Sequence, residues 1–443
     1  MREAHNNMRV NPVHAAWLVL ESQATPMHMG ALLYFKRPRG AKADYVHKLA
    51  SRWREHVGVE APWNLRLGRT GLFGRRWEQD THFDLDYHFR HSALPAPGGE
   101  RQMGELVSRL HSHPIDLRKP PWEVHLIEGV HGNRFALYIK LHPVMFDGFA
   151  AMETLRGLFS ADRSQRELPP LWARKAPISS APREGVLSDW PALMRAGRQQ
   201  LRSGFSPALT WSGVKRVPRS ALNNQLTGAR RFATQQYAIS RLETVATALA
   251  SSVEDVLYYL IASALRRFFR EYNALPGDPL VALVADRSRR DGLVSPLFLP
   301  LATQHADRRK RLDSIRRALR IARQQFSVLS VSDARAEGTL DVMPYLVRQL
   351  AGVDHRMTPL FNLGISSLSL SPTPLFYNGA ELDAVFPMPM LLQGGALNIA
   401  LMRYADSWHV GLCGARDLLP HLQRMAVYMG LSLDELEAMI DEK

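Results

Sequence analysis

The sequence predicts an α+β protein of two similar-sized domains joined by a long crossover. Three observations carry this expectation. The chain has 443 residues, more than one ordinary core accommodates. Both halves mix helix-period and strand-period patterns. Between them, 164–228 carries prolines at 169, 170, 177, 182, 191, 207 and 218, which marks a connection rather than a core. The expected division is 1–165, a crossover over 166–228, and 229–443.

In the first half, Met27 to Phe35 alternates as a strand, with Met29, Ala31, Leu33 and Phe35 on one face. Ala43 to Val57 reads as a helix, Leu85 to Phe89 is short and aromatic, and Met103 to His113 is helical. Val124–Ile127 and Phe135–Leu141 read as strands around the turn His131-Gly132-Asn133. Phe149 to Phe159 follows as a helix. Within the crossover, Leu193 to Arg202 is a basic amphipathic candidate helix, suited to packing on its neighbours or to a membrane surface. In the second half, Ser251 and Glu254 have capping-box spacing. Behind them Val256, Leu257, Leu260, Ile261, Ala264, Leu265 and Phe268 form a helical stripe. Pro279 to Ala285 reads as a buried strand, and Asp307 caps a helix running to Val328. Ala396–Tyr404 and Trp408–Leu412 form a hairpin, and Leu418–Met429 and Ser432–Met439 close the chain as helices.

Hydrophobic residues make up 46% and charged residues 22%, which excludes disordered and fibrous classes. The polar start, Met1 to Pro12, shows no secretory signal. No apolar run reaches the ~18 residues of a membrane span. One cysteine, Cys413, excludes an intrachain disulfide and fits a reducing compartment. The net charge of +14 suits an anionic membrane face or a phosphate-rich ligand. Nucleic acid is not expected, because basic and aromatic residues do not interleave and no zinc spacing exists.

The stretch that carries chemistry is Lys140-Leu141-His142-Pro143-Val144-Met145-Phe146-Asp147-Gly148. A strand delivers a histidine to a turn, and Asp-Gly follows. This resembles the His-His-x-x-x-Asp-Gly signature of coenzyme-A-dependent acyltransferases, such as chloramphenicol acetyltransferase, and of peptide-synthetase condensation domains. Further blocks resemble the bacterial wax ester synthase/diacylglycerol acyltransferase family. They are Asn11–Leu18 with Glu21-Ser22 and Pro26–Gly30, then Phe83–His88, Pro120–Gly129, Glu254-Asp255-Val256, Gly395–Ile399 and Arg416–Pro420. Their order covers residues 11 to about 420.

The resemblance implies two chloramphenicol-acetyltransferase-like domains with a ligand tunnel at their interface. It implies acyl-CoA as a substrate rather than a bound cofactor, no metal, and a long-chain alcohol or diacylglycerol as acceptor. In the family the second histidine of the signature takes the acceptor's hydroxyl proton. Here that place is Pro143, which has neither a titratable group nor an N–H. His142 is then the candidate base, if Pro143 redirects it. Asp147 is implied to hold the loop through an arginine, and Gly148 to let the backbone turn closely. Pro121, Trp122, Asp255, Asn362 and Gly364 are implied on the substrate side. The block Asn362-Leu363-Gly364-Ile365-Ser366 lacks the family's prolines, and Glu254 replaces an asparagine. His28, His88 and His125 are other histidines from family-like blocks that could enter the tunnel. The alternative is a catalytically silent relative that binds acyl-CoA, neutral lipid or a partner acyltransferase. A cytoplasmic location, peripheral to the inner membrane or lipid inclusions, is expected, and homo-oligomerisation stays open.

Overall fold

The computed structural model describes residues 9–441 apart from 11, 57, 69–74, 179–193, 195–215, 289–293 and 354–355. Nearly all of the amphipathic segment 193–202 lies outside the described residues. The first half runs α1 (Pro12–Leu20), β1 (Met29–Lys36), α2 (Tyr45–Glu55), β2 (Leu65–Leu67), β3 (Trp77–Gln79), α3 (Leu85–His88), β4 (Phe89–Ala93), α4 (Glu100–Ser112), β5 (Trp122–Val130), β6 (Arg134–Leu141) and α5 (Gly148–Leu158). The second half runs β7 (Arg230–Ala238), α6 (Ile239–Ala248), α7 (Val253–Glu271), β8 (Val281–Asp286), β9 (Ser295–Pro300), α8 (Arg308–Ser327), α9 (Val331–Leu350), β10 (Leu363–Ser371), β11 (Phe376–Tyr377), β12 (Ala380–Met388), β13 (Leu397–Tyr404), β14 (Ser407–Ala415) and α10 (Leu422–Asp441).

Two six-stranded sheets organise the chain, in the orders β11-β12-β1-β6-β5-β4 and β7-β14-β13-β10-β8-β9. The mixed fold and the two sheets agree with the α+β expectation. The second half gives β11 and β12 to the first sheet, where β12 pairs antiparallel with β1. The sheets meet where β12 crosses β14. A Cβ on Gly411 would collide with the Pro387 carbonyl oxygen, so only glycine allows this approach.

The alternation of β6 decides what each face of the first sheet does. Phe135, Leu137, Ile139 and Leu141 join the core cluster that includes α2 and α5 residues. Ala136 and Tyr138 face the other way, with Met103 and Val107 of α4 and Phe232 of β7. Each such aliphatic or aromatic side chain contributes about 1.5–3 kcal/mol by leaving water. Strand period 2 thus places Tyr138, Lys140 and the residue after the strand, His142, toward the second half.

In the second half, the stripe from Val256 to Phe268 is buried as expected. Its cap differs by one residue. Ser252 Oγ accepts from the Asp255 N–H at 3.1 Å, and Asp255 Oδ2 accepts from the Ser252 N–H at 2.9 Å. Glu254, expected in that role, pairs with Arg323 at 2.5 Å instead. The two closing helices form one, because α10 continues through Gly430. The helix α9 was not expected, and it carries Gly338 and Pro344 in its interior. Among the described residues no single helix is long and apolar enough to cross a membrane.

Candidate active site

The site begins where β6 ends. The His142 N–H donates to the Pro121 carbonyl at 3.1 Å, and the His142 carbonyl accepts from Met145 and Phe146 at 3.1 and 3.0 Å. These bonds close a tight turn with Pro143 at its second position, where a fixed φ is favoured. Proline therefore suits the backbone here, while supplying no proton acceptor. Pro143 and His142 are both buried.

Both nitrogens of the His142 ring are engaged. Nδ1 accepts the Val144 N–H at 3.1 Å, which leaves the proton on Nε2. Nε2 lies 3.3 Å from Glu21 Oε2. Glu21 follows α1 directly, and the same oxygen accepts the Met27 N–H at 2.5 Å. In this arrangement neither nitrogen offers a free lone pair.

Asp147 caps α5, with Oδ1 accepting from Phe149 and Ala150 at 2.9 and 2.8 Å. His14 Nε2 stands 3.8 Å from its other oxygen. Arg287, just past β8, feels the Asp147 charge. Burial and the nearby Arg156 lower the Arg287 pKa, and Asp147 pulls it back up. Gly148 departs from its expected role. It is the first residue of α5, its φ is not left-handed, and an added Cβ would meet nothing within 4 Å.

Behind His142 lies a buried polar seam between the first sheet and α4. His28 Nε2 contacts the His111 carbonyl at 2.9 Å, and His111 Nδ1 contacts Tyr138 Oη at 2.9 Å. The Lys140 ammonium is fully buried and donates to the Leu110 and His113 carbonyls at 3.1 and 2.5 Å, at the C-terminal end of α4. Glu123 Oε2 lies 3.4 Å from Lys140 Nζ and 3.5 Å from His125 Nε2. Burial lowers the pKa of His28, His111, His125 and Lys140; nearby Lys140 lowers His28 and His111 further, while Glu123 pulls His125 and Lys140 partly back up. His88 is held by the Trp122 carbonyl at 2.8 Å, and burial takes its pKa down to about 4. His28 and His88 are thus core histidines bonded within the fold, while His125 is buried beside Glu123 with neither ring nitrogen hydrogen-bonded.

The implied substrate residues are also largely consumed by the fold. Pro121 holds the His142 backbone. Trp122 donates through Nε1 to the Trp63 carbonyl at 2.8 Å and stacks on His88 at 4.5 Å. Asp255 caps α7. Asn362 accepts from the Val281 N–H at 2.8 Å and donates to the Pro218 carbonyl and Asn223 Oδ1 at 2.7 and 2.8 Å. A Cβ on Gly364 would come 2.7 Å from Asn398 Oδ1, so this glycine admits that side chain. Asp255, Asn362 and Gly364 belong to the second half. Glu21, His14 and Arg287 were not singled out as site residues. Glu21 and His14 stood inside the quoted blocks, but their partners are distant in sequence. Among the described residues no group of three or more His, Cys, Asp or Glu is placed to hold a metal ion.

With this geometry in place, comparison with known proteins decides the family. The wax ester synthase/diacylglycerol acyltransferase catalytic domain matches residues 10–257, and the C-terminal domain of the same family matches 293–437. The chain belongs to this family. A wax ester synthase/diacylglycerol acyltransferase structure from Marinobacter aquaeolei VT8 superposes with a TM-score of 0.84 at 34% identity, covering 98% of this chain and 100% of that one. A putative diacylglycerol O-acyltransferase of Mycobacterium tuberculosis is 34% identical over 97% of both chains. The O-acyltransferase WSD of Acinetobacter baylyi is 31% identical, again over 97% of both. A starter condensation domain of rhizomide synthetase, solved with C8-CoA, shares the fold at a TM-score of 0.54 and 14% identity. The 142–148 turn lies within the stretch matched by the family's catalytic domain.

Proposed function

We propose that this chain transfers a fatty acyl group from acyl-CoA to a long-chain alcohol or a diacylglycerol, without a histidine base at the family position. The observation that carries the reading is the supported loop: Pro121 and Glu21 fix His142, and Asp147 caps α5. The acceptor oxygen attacks the thioester carbon. The C–O bond forms, the C–S bond breaks, and the hydroxyl proton ends on the departing thiolate. Positioning and water exclusion between the two halves carry the rate. Loss of a positioned base costs about 10²–10⁴-fold, so turnover is slow beside that of a relative with the intact signature.

The substrate tunnel belongs to this proposal and runs between the two halves beside the loop. A cytoplasmic location at an anionic membrane or lipid inclusion fits the net charge of +14. A second reading is favoured by the engaged nitrogens of His142 beside Pro143. In it the protein binds acyl-CoA, neutral lipid or a partner acyltransferase and performs no transfer.

The test is thiol release from palmitoyl-CoA with hexadecanol or dipalmitoylglycerol, with the ester product followed by mass spectrometry. Slow release with stoichiometric ester is the expected result. Saturable palmitoyl-CoA binding with no ester formed establishes the second reading instead.

A further inference from the structure

We propose that the cleft between α7, α8 and α10 binds a phosphate group at a site separate from the signature loop. The cleft has a volume of about 510 Å³. It is lined by Arg266, Arg267 and Arg270 of α7 and by Arg308 and Arg311 of α8, against the carboxylates Glu271 and Glu435.

The charges do not balance locally. Glu435 pairs with Arg267 and lies 3.5 Å from Arg308. Glu271 pairs with Arg424 and accepts from the Tyr428 hydroxyl. Among the described residues, Arg266, Arg270 and Arg311 have no carboxylate partner. Arg311 is only 5% exposed. It donates to Ser263 Oγ at 2.6 Å and to the His305 carbonyl at 2.9 and 3.1 Å. Arg266 donates to the Thr303 and Gln304 carbonyls at 2.6 and 3.3 Å. Neutral oxygens satisfy N–H groups but leave the charge standing. Burial lowers the Arg311 pKa and the charges of Arg266 and Arg308 add to this, while Tyr259 and Glu435 pull it partly back up. Such a concentration of guanidinium groups is relieved by a multiply charged anion. Their planar forks fit phosphate oxygens in pairs.

The location separates this site from the loop. Arg266 and Arg311 lean on residues 303–306, and Thr303 Oγ1 accepts from the Leu280 N–H at the start of β8. Arg287, in the field of Asp147, follows the other end of that strand. Six residues of strand separate the two ends by roughly 17–20 Å. The ligand class is a phosphomonoester or diphosphate, whether on a soluble compound or on a lipid headgroup. The inference does not depend on whether the signature loop is active.

Calorimetric titration of the full chain with inorganic pyrophosphate tests it, alongside co-sedimentation with phosphatidic acid vesicles and with phosphatidylcholine vesicles. The variants are Arg266→Gln/Arg270→Gln at the cleft and Arg101→Gln, an exposed arginine of α4, as a charge control. Expected is saturable binding that the cleft variant weakens by about tenfold or more, as loss of charge-assisted bonds implies, and that the control leaves intact. Cleft-dependent binding of phosphatidic acid alone assigns the lipid headgroup, and of pyrophosphate alone the soluble source; either supports the site. No saturable binding in either arm, or equal weakening in the control, overturns it.

Discussion

His142 Nε2 lies 3.3 Å from Glu21 Oε2, and this contact ties the loop after β6 to the end of α1. The same carboxylate oxygen also takes the Met27 N–H that leads into β1. Glu21 therefore organises two chain segments around one buried imidazole. Glu21→Ala strips partners from the His142 ring Nε2–H and the Met27 backbone N–H together. It should destabilise the protein by about 1–3 kcal/mol in urea unfolding. Glu21→Gln retains an acceptor oxygen and should cost less. Equal stability of wild type and Glu21→Ala contradicts the role given to this residue.

Pro143 is the second prediction. It is buried in the turn after β6, at the place where the motif resemblance implies the family's base. Pro143→His should raise thiol release from palmitoyl-CoA by about 10²–10⁴-fold. The gained rate should rise with pH through about 6.5, because only the neutral imidazole accepts a proton. A gain in rate that is flat across that range would mean the new histidine is not the base.

These two residues also show how far the sequence is legible. Pro143 stands out in the sequence because it falls inside a short motif whose other positions resemble the family's. The period-2 pattern of Phe135–Leu141, the stripe of α7 and the hairpin of β13 and β14 were readable because local spacing sets their exposed and buried faces. Glu21 was not readable as the partner of His142, since the pair is separated by 121 positions. The move of β11 and β12 into the first sheet is hidden for the same reason. The α7 cap slipped by one because Ser251-Ser252-Val253-Glu254-Asp255 offers Ser-x-x-acid in two registers. The helix α9 was masked by Gly338 and Pro344, two residues that ordinarily break helices. Trp122 and Asn362 sit in family blocks, but only the bonding shows that the fold consumes their polar groups.

The buried histidines give a third prediction. Burial depresses the pKa of His28 and His111 far below 6.5, and takes His88 and His409 to about 4. Below 6.5 the unfolded chain binds protons that the folded chain refuses. Their contribution is thus fully present above 6.5 and lost as pH falls toward the folded values. The urea midpoint should be lower at pH 5 than at pH 7.5, by the sum of several such groups. His409 packs 5.4 Å from Phe386, and His409→Phe should flatten the slope by removing one of them. An unchanged slope in that variant means that His409 is charged in the native state.

Glu337 works in the opposite direction. It lies on α9 one turn from Asp341, both are buried, and its Oε2 has no hydrogen-bond partner among the described residues. Burial, then the charges of Asp341 and Asp333, push the Glu337 pKa from 4.5 up to about 7. Between those two values the folded protein keeps a proton that the unfolded chain has released. Stability therefore falls as pH rises through this window, and the full penalty is present above 7. Glu337→Gln keeps the shape and removes the ionisation. It should stabilise the protein by about 1–3 kcal/mol at pH 8 and change little at pH 4, as read from urea midpoints. An equal effect at both pH values would assign the change to packing and remove the like-charge pair as its cause.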